Sequence, residues 1–488
     1  MPRVLLCCSA VAQLLKSRRF ILPVILIFSF AASSAAQDPA SGIQRFSTQL
    51  GGQYDSIDPA TGNIMLTIPV MSKAGKIPFS YNLVGNFHAY VPQYEGGITP
   101  FEVTSEIAGT SPVAFGNVGY DTTVTDCYEG YNYVGELYTQ SGFHTSDATG
   151  AGHSFGSYTF QYGPGVYACG SYASTPVSLP ADDGTGYTLL ATPTDSNDPP
   201  TYTVYDRSGN KIGNGGITDP DGVQITSSGQ WVNGSTWAVT YTDTLGLPVL
   251  TATAPGTHSY GGPDAGTPDT YVYTGADGTQ QTVQVNYTYY PQRTNFGYPV
   301  NPDLNNTSFQ TYFATSIVMP DGETYQLSYE PTPGYPGDIT GRLAKITLPG
   351  GGSVSFAYSG PHNGFWGGGI DSATLTRTVD DGNGHVGTWT YVYSPPTDHN
   401  ENFVVTVTDP ANNVTTYHFH GEYQTEEVVQ DSQGHVMSQT VTCYNGLDLR
   451  GQAVCVAPSI MDIPPGIPIY QTDVYSSPGT SPPSLVET

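Results

Sequence analysis

Residues Gly152 to Gly156 read GHSFG, the Gly-x-Ser-x-Gly spacing that holds a nucleophilic serine on a strained turn in hydrolases, so Ser154 is the first residue to weigh. That elbow works because an apolar strand ends at the serine and a helix begins just after it, which exposes the hydroxyl. Here TSDATGA precedes and SYTFQYGPG follows, and neither supplies those elements. A chance match in a chain with 58 glycines is the simpler reading. His418, His420 and Glu422 stand two apart, which on a strand puts three potential metal ligands on one face. The intervening Tyr417 and Phe419 mark the opposite face as the buried one, so the trio is expected to be the wet side of a strand. TDPDG (Thr218 to Gly222) and VDDGNG (Val379 to Gly384) carry clustered Asp like pieces of a calcium loop, but lack the ligand series that closes on Glu. Asx turns between strands account for them. No Walker loop or zincin motif is present, and paired glycosidase carboxylates cannot be assigned, because their separation is a property of the fold. The expectation is therefore no catalytic residue, no metal and no cofactor.

The elements that would position such residues are strands. Gly (58) and Pro (39) make up about a fifth of the 488 residues, too many for long helices and too few for disordered low complexity. Thirty-six Tyr spread along the chain and 38% hydrophobic residues supply a core for many short strands. In DPATGNIMLTIPVMSKAGKIPFSYN (Asp58 to Asn82) a turn at Ala60 to Asn63 leads into the alternation Ile64, Leu66, Ile68 and then a second short strand, Phe79 to Tyr81. From about residue 200 the chain becomes rhythmic. Ile317, Met319, Pro320, Gly322, Tyr325, Leu327 and Tyr329 recur, each 29 residues on, as Ile346, Leu348, Pro349, Gly351, Val354, Phe356 and Tyr358. The shared form is strand, Pro-x-Gly turn, strand, with apolar side chains two apart, as a hairpin with one buried face requires. Looser copies end in Val283, Val285, Tyr287, in Trp389, Tyr391, Tyr393 and in Tyr417, Phe419. The triple glycine Gly350 to Gly352 is thus a hairpin reversal and not a phosphate cradle, since no helix or Lys-Ser/Thr follows it.

The N-terminus reads as an export signal. Lys16, Arg18 and Arg19 precede the apolar run Phe20 to Ala32, and small residues follow to Ala36. As a helix the run rises about 20 Å, short of the roughly 30 Å core of a bilayer. Four of the 14 basic residues lie in this segment and none of the 41 acidic ones, so a chain cut after Ala36 keeps ten Lys and Arg against 41 Asp and Glu. That excess repels phosphate backbones and anionic lipid, which excludes nucleic acid and, after cleavage, direct membrane binding. Cys127, Cys169, Cys443 and Cys455 remain, an even number that suggests two disulfides. Three connectivities are open; proximity favours Cys127 with Cys169 and Cys443 with Cys455.

The stretches TYTVYDRSGNKI (Thr201 to Ile212), YQLSYE (Tyr325 to Glu330), GRLAKITLPGGGSVSFAY (Gly341 to Tyr358) and VTDPANNVTTYHF (Val407 to Phe419) resemble the YD repeats of bacterial Rhs-family proteins. DPATGNIMLTIPV resembles the opening segment of exported members, and TVTCYNGLDLRGQAVC resembles a Cys-bounded insertion between repeats. In this chain Tyr329-Glu330 stands where the family has Tyr-Asp, and ten residues separate it from Gly341, Arg342 and Leu343, where two are usual. The resemblance implies a long spiralling β-sheet that in the family closes around a C-terminal payload or acts in surface contact.

Together these readings predict an all-β protein, an array of antiparallel β-hairpins preceded by an irregular β-rich N-terminal region. The expected division is a signal peptide at 1–36, an Rhs-like β segment at 37–84, a Gly/Tyr-rich acidic region at 85–200, the YD-repeat-like array at 201–440, and a Cys-bounded insertion with a Pro/Ser-rich tail at 441–488. The leading expectation for function is a non-enzymatic, secreted or cell-surface scaffold whose partner is a surface protein or glycan, or a payload encoded farther on. A glycan-binding or glycan-cleaving protein and a serine hydrolase using Ser154 are the alternatives.

Overall fold

The computed structural model describes residues 50–87, 99–100, 108–110, 118–146, 152–156, 158–181, 184–213, 215–232, 236–255, 266–297, 300–301, 309–365, 372–394, 402–420, 423–444, 469–476 and 484–487. The segment 1–36 read as a signal, Glu422 and Cys455 lie outside these residues, as do the side chains of His420 and Cys443. The chain is all-β. One antiparallel sheet of 22 strands, the long sheet, runs from Val177–Pro180 to Ser484–Glu487, nearly every strand pairing with its neighbours in sequence. It begins at Val177, inside the stretch read as the Gly/Tyr-rich region.

One hairpin design recurs along this sheet. In nine turns the N–H of the first residue donates to the carbonyl four residues on; they open at Asp206, Asp219, Asp243, Gly275, Met319, Leu348, Asp381, Asp409 and Asp431. The fourth residue has positive φ in all nine, and is Gly in eight and Asn412 in the other. This is the type I turn closed by a left-handed residue, whose twist matches that of the strands. The 29-residue echo is therefore geometric. Ile317 faces Tyr325 across its hairpin, and Ile346 faces Val354 across the next, in the same register. The Tyr329 hydroxyl donates to Ala314 O at 2.7 Å and the Tyr358 hydroxyl to Leu343 O at 3.0 Å, acceptors that are themselves 29 residues apart.

A second sheet of five strands, the N-terminal sheet, is built on Ile64–Lys73 and Phe79–Phe87, the latter longer than its predicted extent. Ile64, Leu66, Ile68 and Leu83 are fully buried, as the alternation requires. They form one core with the alternate side chains of the long sheet, from Leu189 to Phe419. Along the strand Phe79–Phe87 the ring partners change from Tyr241, 5.5 Å from Phe79, to Tyr271, 5.5 Å from Tyr81, to Tyr329, 6.2 Å from Phe87. Those tyrosines sit on three different strands of the long sheet, so the two sheets pack with their strands crossing.

The third sheet comprises Gly119–Glu129, Asn132–Ser146, Gly152–Ser154 and Phe160–Tyr162. A disulfide from Cys127 to Cys169 ties its first strand to the helical turn Val166–Cys169, and Leu137 and Val166 pack beside it. Phe143 and Phe160 join it to the long sheet through Tyr202, at 5.2 and 6.1 Å.

Candidate functional site

The residues singled out by the repeat converge on a buried cation. Gly341, Arg342 and Leu343 lie in the strand Ile339–Thr347, and Tyr329 and Glu330 in its neighbour Thr324–Pro331. Arg342, fully buried, donates from Nε and Nη2 to the two carboxylate oxygens of Glu330, at 2.7 and 2.8 Å. Its guanidinium lies over the rings of Tyr358 (4.0 Å) and Phe296 (4.7 Å). Nη2 also donates to Asn363 O at 2.8 Å, and Asn363 Nδ2 to Asn295 O at 2.9 Å. Asn295, His362 and Asn363 all have positive φ, three of the four such non-glycine residues described, so the backbone is strained where it closes over this cation. The ten-residue spacer before Gly341 has its own anchor. Arg293 Nε donates to Asp338 at 2.6 Å and its guanidinium lies 4.2 Å from the Tyr335 ring. Burial raises the hydroxyl pKa of both Tyr329 and Tyr358, so both stay neutral hydrogen-bond donors.

A second node of the same kind was not anticipated. Arg377 donates from Nε and Nη2 to Asp55, at 2.5 and 2.8 Å, across 322 residues of sequence. Both side chains are buried, and the guanidinium lies 4.8 Å from the Trp389 ring. Burial works against the Arg377 charge, but the Asp55 hydrogen bond and the attraction of the Asp55 charge together raise the guanidinium pKa. A signal was present, since Tyr54-Asp55 is a Tyr-acid dipeptide like Tyr329-Glu330. Lys73 with Asp243 (3.5 Å) and Lys76 with Asp219 (3.1 Å) and Asp221 attach the same N-terminal sheet to two of the turns.

The Asp-rich turns are Asx turns. In the six that open on Asp, Oδ1 accepts the backbone N–H groups two and four residues on, as at Asp219 from Asp221 and Val223 (2.9 and 2.8 Å) and at Asp381 from Asn383 and His385 (2.7 and 3.1 Å). Hydrogen bonds from the backbone lower the Asp243 and Asp381 pKa, and the His435 side chain does the same for Asp431. Ser154 ends a short strand paired with Asn132–Ser146 and is buried, and the next regular element described is the strand Phe160–Tyr162. It therefore does not sit on a strand-to-helix elbow. His418 lies 3.7 Å from Glu426 on the neighbouring strand. Among the described residues no three His, Cys, Asp or Glu are grouped for a metal, and no helix is long and apolar enough to cross a membrane.

Exposed aromatic side chains gather elsewhere. Tyr128, Tyr131, Tyr133 and Tyr167 project from the disulfide-bonded sheet, and Trp231 and Trp237 pair edge to face at 5.1 Å on a long-sheet hairpin.

No protein-family model and no curated protein matches the chain. Among solved structures it is similar to one described as the crystal structure of TcdB2-TccC3, at 10% identity and a TM-score of 0.12, over 87% of this chain and 26% of that one. The chain thus spans about a quarter of the length of that structure's chain.

Proposed function

We propose that this protein is a non-enzymatic, exported scaffold of the YD-repeat kind, which presents surfaces to a partner or carries a payload. The observation that carries the reading is the use of its strongest polar groups. Arg342 with Glu330 fastens one hairpin to the next, Arg377 with Asp55 fastens one sheet to another, and the turn aspartates close their own hairpins. Charged pairs buried this way set register and pairing more than they add stability. The Rhs-type identity rests on the order of the motifs. Expression from the natural start should yield an exported chain beginning at Gln37, with hydrolytic activity on ester panels unchanged by Ser154→Ala. Retention of the unprocessed chain inside the cell, or turnover lost in Ser154→Ala, would contradict it.

Trp231 and Trp237 favour a second reading, glycan binding, because exposed aromatic rings offer stacking faces to sugars. A glycan array probed with the parent chain and with Trp231→Ala decides it.

A further inference from the structure

The strand Gly119–Glu129 differs from every strand of the long sheet that the core covers. The Tyr120 ring packs 5.4 Å from Tyr202, but from Asp121 to Asp126 each residue on either face is exposed, and Val124 keeps 54% of its surface. It is the outermost strand of its sheet, paired on one side with Asn132–Ser146 and on the other with no described strand. Its residues, YDTTVTDCYE, are rich in strand formers, and the disulfide at Cys127 ties it to the helical turn Val166–Cys169. Between register shifts at Gly119/Asp121 and Cys127/Tyr128 the pairing is regular, and an exposed regular edge is a template for another strand.

Charge selects what that strand can be. Asp121, Asp126 and Glu129 lie on the edge strand itself, and Glu136 stands directly opposite Asp126 in the register, a like-charge pairing that costs stability. No Lys or Arg occurs between Lys76 and Arg207. A second copy would be repelled: antiparallel pairing centred between Thr123 and Val124 sets Asp121 of one copy against Asp126 of the other, and parallel pairing sets each acid against itself. An extended basic segment meets the opposite situation. Its backbone continues the sheet, and its cations reach Asp126 and Glu136. We propose that the Gly119–Glu129 edge is a docking strand that captures a basic, extended peptide segment by adding it to the sheet.

The probe is a short synthetic peptide alternating lysine and valine, titrated against the intact exported chain by fluorescence anisotropy. Comparison peptides carry glutamate for lysine, or N-methyl groups on alternate residues. The lysine peptide should bind, the glutamate and N-methylated peptides about tenfold more weakly or worse, and added salt should weaken binding. In a chain with Asp121→Lys and Asp126→Lys, checked for an intact disulfide and native circular dichroism, the preference should pass to the glutamate peptide. Amides of 119–129 should gain hydrogen-exchange protection on binding. Equal binding by the N-methylated peptide would reduce the contact to ion pairing and overturn strand addition. Absence of binding by the folded parent, self-association through this edge, or binding of neutral glycans in place of the peptide would each overturn the proposal.

Discussion

The long sheet and the disulfide-bonded sheet draw on the same residues, Tyr, Thr and Gly, and use them in opposite ways. In the long sheet, ladder tyrosines turn inward, and Tyr329 and Tyr358 each donate their hydroxyl to a carbonyl within the repeat. In the disulfide-bonded sheet Tyr128, Tyr131 and Tyr133 point to solvent, and the strand that carries Tyr128 is exposed on both faces from Asp121 to Asp126. The difference is whether a second sheet lies opposite. The N-terminal sheet covers the long sheet and converts alternation into a core, whereas the small sheet is stapled within itself by its disulfide and meets the long sheet through Phe143, Phe155 and Phe160 and the Tyr202–Gln140 hydrogen bond.

That contrast can be broken at its strongest point first. Asp55→Ala leaves Arg377 charged and buried without its carboxylate, and should destabilise the whole molecule by about 3–5 kcal/mol in denaturant unfolding. Cys127→Ser opens a loop of 42 residues and should cost about 2–4 kcal/mol. Its effect should stay in the small sheet, seen as lost exchange protection at 119–146 with the long sheet unchanged. Gly351→Val forces a β-branched residue to a φ of 89°, though nothing crowds the added Cβ, and should cost about 1–3 kcal/mol. Tyr329→Phe and Tyr358→Phe should each cost about 1 kcal/mol, the same bond removed twice.

The smallest effects concern pH. The turn carboxylates have lowered folded pKa values, so their contribution is complete above about pH 4 and is lost as pH falls through those values. Burial raises the Tyr391 hydroxyl to about 12, so its contribution is complete below about pH 10 and lost as pH rises through 12. Thermal melts across pH should therefore fall off on both flanks, and Asp381→Ala should flatten a small part of the acid one.

The hairpins were legible in the sequence because period-two alternation and a left-handed fourth turn residue are local requirements. Ile317, Tyr325, Ile346 and Val354 could be paired from spacing alone, and the Asx reading of TDPDG and VDDGNG followed from the missing Glu. The fastening points were less legible. Glu330 meets Arg342 despite the ten-residue spacer, because that spacer folds back through Arg293 and Asp338. Asp55 meets Arg377 only once two sheets cross, and no local pattern encodes a crossing. The exposed strand Gly119–Glu129 was illegible for a related reason: Tyr and Val read as core until the order of strands in the sheet is known.

The central claim is that the N-terminal sheet and the long sheet are one cooperative scaffold to which the disulfide-bonded sheet is only attached. Native-state hydrogen exchange on Asp55→Ala tests this most directly. The amides of 64–87 and 236–393 should lose protection together and by the same free energy, while those of 119–146 keep theirs. Loss confined to 50–87, with the long sheet as protected as before, would contradict it.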